Sequence, residues 1–114
     1  MRQRAYTLME IMIAVLIMGV LAAVAIPNFV NARVRARQKT CISNMIQLET
    51  AKEQWATENK KSTGDACMLS DIIGPGLHIR TSPSCPAGGT YSVNAVGTKA
   101  SCTLSAAPEL HALP

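Results

Sequence analysis

The 114-residue sequence predicts an α+β chain: one long N-terminal helix, about residues 6–61, packed by a small disulfide-stapled cap, residues 62–114, with a short helix and a β-hairpin. Three observations predict it. Apolar residues (AVILMFWYC) fill 23 of the first 32 positions but only 32 of the remaining 82. An apolar stripe then recurs at helical spacing, and no Gly or Pro interrupts residues 28–61. Beyond residue 61 the punctuation changes: six of seven Gly, five of six Pro and three of four Cys lie there. An ordinary soluble domain spreads its apolar residues over several periodic elements, so this distribution argues against a cytosolic enzyme.

From Ile11 to Ala32 no residue is charged, and 18 of the 22 are apolar. At about 1.5 Å of rise per residue, a helix of that length crosses the roughly 30 Å hydrocarbon layer of a membrane. Gly19 and Pro27 are its weak points. Glycine is a poor helix former, and proline removes one backbone hydrogen bond and loosens the turn before it. Three readings compete. One is a secretory signal cleaved after Ala23-Val24-Ala25, which releases a small secreted disulfide-rich module. Another is a plain membrane anchor. The third turns on Glu10, because a carboxylate at the head of an apolar helix costs on the order of a few kcal/mol unless it is paired or reaches the interface.

The run Ala5-Tyr6-Thr7-Leu8-Met9-Glu10-Ile11-Met12-Ile13-Ala14-Val15 continues through Gly19 to Ala25-Ile26-Pro27-Asn28-Phe29. It resembles the N-terminus of type IV pilins and type II secretion pseudopilins over about residues 2–40. The shared features are a short basic leader, a small residue before an aromatic, a glutamate four residues later, an apolar run and a proline. The resemblance implies that a prepilin peptidase cuts between Ala5 and Tyr6, removes residues 1–5 as a leader and methylates the new amine of Tyr6. Losing Arg2 and Arg4 takes the net charge from +4 to +2. Ala5 stands where the family usually has Gly. The resemblance further implies that residues 6–29 are the transmembrane and polymerisation half of the helix, and that Glu10 meets the amine of a neighbouring subunit. An ion pair in a dry bundle acts as a register device, since leaving either charge unpaired is costly. Gly19 and Pro27 then bracket a stretch that unwinds locally during assembly.

The implied function is that of a structural filament subunit, held in the bacterial inner membrane and then assembled into a cell-surface or periplasmic filament. Its implied partners are copies of itself, the prepilin peptidase, an inner-membrane assembly platform and, before assembly, the lipid bilayer. A type II secretion pseudopilin is the variant reading. The major members of that group carry a calcium site in the distal domain, and after Asp71 this chain offers only Glu109 as a carboxylate. That difference favours the pilus subunit.

The charge excess is local. Arg33, Arg35, Arg37 and Lys39 follow the apolar run, while everything after Lys39 carries five basic and six acidic side chains. A nucleic-acid domain spreads its charge over a folded face with aromatics nearby, so nucleic acid is not indicated as a partner. The basic run reads as a solvated face flanking the membrane. On charge count alone it would hold the distal part in the cytoplasm, whereas the cysteines and the resemblance place that part outside.

In residues 30–61, the amphipathic half of the helix, Val30, Val34, Cys41, Met45, Leu48, Ala51 and Trp55 form the stripe, widened by Ile42 and Ile46. Glu49 and Lys52, three apart, read as a solvated pair on the opposite side. Gly64, just past Lys60 and Lys61, marks the expected end of a helix of roughly 80 Å. Residues 66–73 read as a short helix stopped by Gly74-Pro75-Gly76. Residues 90–96 alternate as a strand, 97–100 turn, and 101–105 form a second strand, with a third short one at 78–81.

Four cysteines in a short chain with an export-type N-terminus read as two disulfides. Cys85 and Cys102 flank the hairpin and are the natural pair, which leaves Cys41 and Cys67 to clamp the cap onto the long helix, although three connectivities are open. Each bridge is worth about 3 kcal/mol by chain entropy. No metal is expected, because zinc usually takes closely spaced pairs such as C-x-x-C, and Cys41, Cys67, Cys85 and Cys102 are spread far apart along the chain. His78 and His111 read as lone surface or cap residues. No catalytic residue and no cofactor is expected, since neither a nucleophile–base set nor a Gly-rich phosphate loop is present.

Overall fold

The structure, a computed structural model, describes residues 5–105 and 111–114. Residues 1–4, within the expected leader, and Glu109 lie outside the described residues. The order of elements is α1 (Leu8–Glu58), α2 (Leu69–Ile72), β1 (Tyr91–Ser92) and β2 (Ser101–Cys102). This is the α+β arrangement expected, with one long helix, one short helix and a two-stranded antiparallel sheet. The chain divides into two compact units, one ending at Arg33 and the other beginning at Val34.

In the first unit, α1 starts at a reciprocal cap. The Glu10 amide donates to Thr7 Oγ1 at 3.3 Å, and the Thr7 amide donates to Glu10 Oε2 at 3.5 Å. Thr-x-x-Glu thereby satisfies two amides that the first helical turn would leave without partners. The helix is continuous through Pro27.

In the second unit, the part of α1 from Val34 onward buries Cys41, Met45, Leu48, Ala51, Lys52 and Ala56. The stripe therefore begins at Cys41. Val30 and Val34, expected on it, are exposed, and Ile46 is half exposed. The helix ends without help from Gly64. Lys60 takes φ +53°, and the Lys61 amide turns back to the Ala56 carbonyl at 2.8 Å. That left-handed residue with its 6→1 bond is a Schellman-type stop. Gly64, at φ +99°, instead turns the chain so that its amide reaches Val96 O at 2.8 Å.

The short helix is only Leu69–Ile72, and Asp71 Oδ2 accepts the Met68 amide at its head at 2.9 Å. The hairpin pairs Tyr91 with Cys102 and Ser92 with Ser101. It is shorter than the alternation predicts for a physical reason. Asn94 takes φ +59°, and its side chain donates to Lys99 O at 2.8 Å. The chain then leaves its partner strand, and Val96 N donates to Asp65 O at 2.9 Å. Residues 78–81 supply a single parallel bridge, Ile79 to Ile73, in place of a third strand.

The core gathers Met45, Leu48, Ile72, Tyr91, Val93 and the four cysteines. Through it runs a buried polar link. Lys52 is fully buried and its ammonium donates to Glu49 Oε2 at 3.0 Å, to Val93 O at 3.1 Å and to Thr98 O. Glu49 Oε2 also accepts the Ala100 amide at 2.9 Å. The pair expected on a solvated face is thus the tie between α1 and the loop of the hairpin. A side chain with three donors suits such a place, since buried carbonyls without donors are costly.

Candidate functional site

Two groups of residues stand out. The first lies along the N-terminal unit. Ala5 and Tyr6 are exposed ahead of the helix, and Glu10 is exposed in its first turn. From Ala5 to Arg37 every residue is exposed apart from half-buried Ala14. Leu8, Met9, Met12, Leu16, Met18 and Val24 each leave more than 60% of their surface uncovered. An apolar surface that continuous is satisfied by lipid or by sister helices rather than by water. Gly19 has nothing within 4 Å of where a side chain would start, so a neighbouring helix has room to approach there. Arg33 lies over the Phe29 ring at 5.8 Å, and Arg35, Arg37 and Lys39 follow it in sequence as a basic run. In sequence, the apolar stretch is thus followed by a basic run suited to lipid phosphates.

The second group lies in the cap. Cys41 from α1, Cys85 from the loop before β1, Cys102 at the end of β2 and His111 near the C-terminus are all buried. Their ligand-type atoms lie within 4.8 Å of one another. Cys85 Sγ is 3.6 Å from His111 Nδ1. All four cysteines are free thiols, and Cys67 stands outside the group, its thiol directed at Met68 O at 3.7 Å. The expected neighbours Cys85 and Cys102 do meet, but Cys41 joins them and not Cys67. The long helix thus brings Cys41 to Cys85 and Cys102, and the expected Cys41–Cys67 clamp is not formed in the structure. His111, read as a lone residue, is 1% exposed and packs in this cluster. His78 instead sits beside Glu58, Nε2 to Oε2 at 3.1 Å. Sequence spacing does not exclude a metal here, because the four side chains arrive from separate segments.

The thiols differ electrostatically. Burial pushes Cys41 up to about 12, against the hydrogen bond from Tyr91. Burial also opposes ionisation of Cys85. The amides of Ala87 and Gly89, the Cys41 thiol and His111 outweigh it and bring Cys85 down to about 7. Cys67 is raised by burial and by the nearby charge of Asp71.

The sequence comparisons fall on the first group and extend beyond it. Residues 1–26 match the family described as Prokaryotic N-terminal methylation motif. Type II secretion system core protein G of Klebsiella michiganensis is 29% identical over 107 residues, which is 83% of this chain and 75% of that protein. Type IV major pilin protein PilA of Myxococcus xanthus is 42% identical over 60 residues, 53% of this chain and 27% of PilA. The chain is thus similar to type IV pilins and type II secretion pseudopilins. A core protein G from Pectobacterium carotovorum is 35% identical over 60 residues, 53% of this chain and 38% of that protein. The chain thus spans well under half of the last two relatives. No solved structure matches it.

Tyr6, Glu10, Gly19 and Pro27, the processing and assembly residues expected from the sequence, lie on one exposed N-terminal segment. Sequence reasoning missed Thr7, the capping partner of Glu10, although the Thr-x-x-Glu signature stands in the sequence. It also missed Gly89. A Cβ there would sit 2.5 Å from Cys102 Sγ and 3.3 Å from Cys85 Sγ. Gly89→Ala is therefore expected to destabilise the cap by about 1–3 kcal/mol through overpacking, read as a lowered midpoint in urea unfolding.

Proposed function

We propose that this chain is a structural subunit that polymerises through its N-terminal helix into a type IV pilus-like filament. The observation that carries the reading is an uncovered apolar helix with Thr7 and Glu10 at its head, matched by a methylation motif over residues 1–26. Before assembly the apolar segment lies in the inner membrane, where a helix satisfies its own backbone except at the turn before Pro27. A prepilin peptidase cuts between Ala5 and Tyr6 and methylates the Tyr6 amine. An assembly platform then passes the subunit into a filament at the cell surface or in the periplasm. Neighbouring copies take the place of lipid, and the amine of one subunit pairs with Glu10 of another. Gly19 and Pro27 mark where the helix gives way on extraction. The cap has a structural role, and no enzymatic step is assigned to it.

A second reading, a type II secretion pseudopilin, is favoured by the extent of the similarities. The match to core protein G covers 83% of the chain, whereas the match to PilA covers 53%. Both readings share the same processing.

Mass spectrometry of the chain from membranes tests the proposal. The expected product starts at Tyr6 and carries one added methyl group. A product starting at Ile26 would make the chain a secreted module and end the filament reading.

A further inference from the structure

We propose that Cys41, Cys85, Cys102 and His111 form a four-coordinate zinc site at the centre of the cap. Their ligand-type atoms already lie within 4.8 Å of one another, and the Cys85–His111 separation is 3.6 Å. Zinc–sulfur bonds of about 2.3 Å and zinc–nitrogen bonds of about 2.0–2.1 Å put the ligands of a tetrahedral site roughly 3.4–3.8 Å apart. The cluster therefore closes on an ion with shifts of under about 1 Å per side chain on the same geometry. Three thiols and one imidazole are a closed structural set with no position left for water.

The surroundings support ligation. Cys85 opens the turn Cys85-Pro86-Ala87-Gly88-Gly89, in which the Gly88 amide meets Cys85 O at 3.0 Å and Gly88 takes φ +89°. The turn aims the amides of Ala87 and Gly89 at Cys85 Sγ. Amide donors to sulfur orient a ligating cysteine and disperse its charge. Gly89 supplies the close backbone approach, since a Cβ there would collide with Cys102 Sγ. On the other side, Tyr91 hydrogen-bonds Cys41. The Asn44 amide donates to the Tyr91 oxygen at 3.0 Å and to Ser84 O at 3.1 Å.

Two disulfides suit this geometry less well. Any pair formed within the cluster strands the third thiol in the core, and Cys67 is outside the group. Zinc uses all three at once without any change of oxidation state. Three S–H bonds break, three Zn–S bonds form, and three protons pass to solvent. The site also offers a physical reason for the small cap to hold together with two short strands among the described residues, as structural metals do in small domains.

The test uses the full chain purified in detergent without reductant or chelator. Elemental analysis is expected to find one zinc ion per chain. Alkylation after denaturation, with no reduction step, is expected to modify all four cysteines. Cys85→Ser and Cys102→Ser are expected to lose the zinc, and Cys67→Ser to keep it. In case the serine variants fail to fold, cobalt chloride added to the metal-free wild-type chain provides an independent reading. Strong thiolate-to-cobalt absorption with tetrahedral d–d bands supports the site. A disulfide in the chain as isolated, absence of zinc, equal zinc in Cys85→Ser, or an octahedral cobalt spectrum would each overturn it.

Discussion

Lys52→Met is expected to destabilise the cap by about 3 kcal/mol, within the range seen when one partner of a buried charged network is removed. The substitution keeps the apolar stem, so the loss is of donors rather than of packing. It deprives Val93 O and Thr98 O of the ammonium and takes the counter-charge from Glu49, whose carboxylate still holds the Ala100 amide. The link joins groups distant in sequence, so it ties the long helix to the far end of the hairpin. For a domain of this size the melting midpoint should fall by roughly 12–24 °C. Near-ultraviolet circular dichroism of the full chain in detergent, sensitive to Trp55 and Tyr91, reads it. A shift of a degree or two would mean that Lys52 is only a packed stem.

Glu10→Ala is expected to leave membrane insertion and the cap domain intact and to impair assembly. Removing one member of a desolvated ion pair costs about 3–5 kcal/mol. Because about 1.4 kcal/mol is a factor of ten, the yield of sheared filaments should fall by at least about tenfold. The Thr7–Glu10 cap adds a competing explanation, since Glu10 also serves its own helix. Glu10→Gln separates the two, because a glutamine completes the capping box and carries no charge. Assembly is expected to be impaired in both variants while cellular levels of the chain stay normal. Full assembly of Glu10→Gln would reduce Glu10 to a helix cap.

The N-terminal segment was legible because its signals are local. An uncharged apolar run, a glutamate at its head and a small–aromatic junction depend on no other part of the chain, and the structure adds only the Thr7 cap. The cap domain was legible as a set of elements and less so in their extent. The strands stop early because the backbone of Val96 is claimed by Asp65 and Gly64, which belong to the distant turn after α1. No alternation pattern carries that information. The helix end was placed by glycine, whereas a lysine in the left-handed region performs the turn.

What the sequence determined by itself is therefore the long helix and its division into an apolar and an amphipathic half. Helical periodicity and hydropathy act over one turn to the next, and they suffice to specify an element that long. Tertiary structure alone decided which polar and sulfur-bearing side chains meet. Lys52 and Glu49 look like any solvated pair three apart, and only the hairpin loop lying across them turns them into a buried link. Cys41, Cys85, Cys102 and His111 come from four separate segments, and only folding of the cap onto α1 brings them to one point. Contacts between such distant segments depend on how the elements pack, and no local spacing rule encodes them.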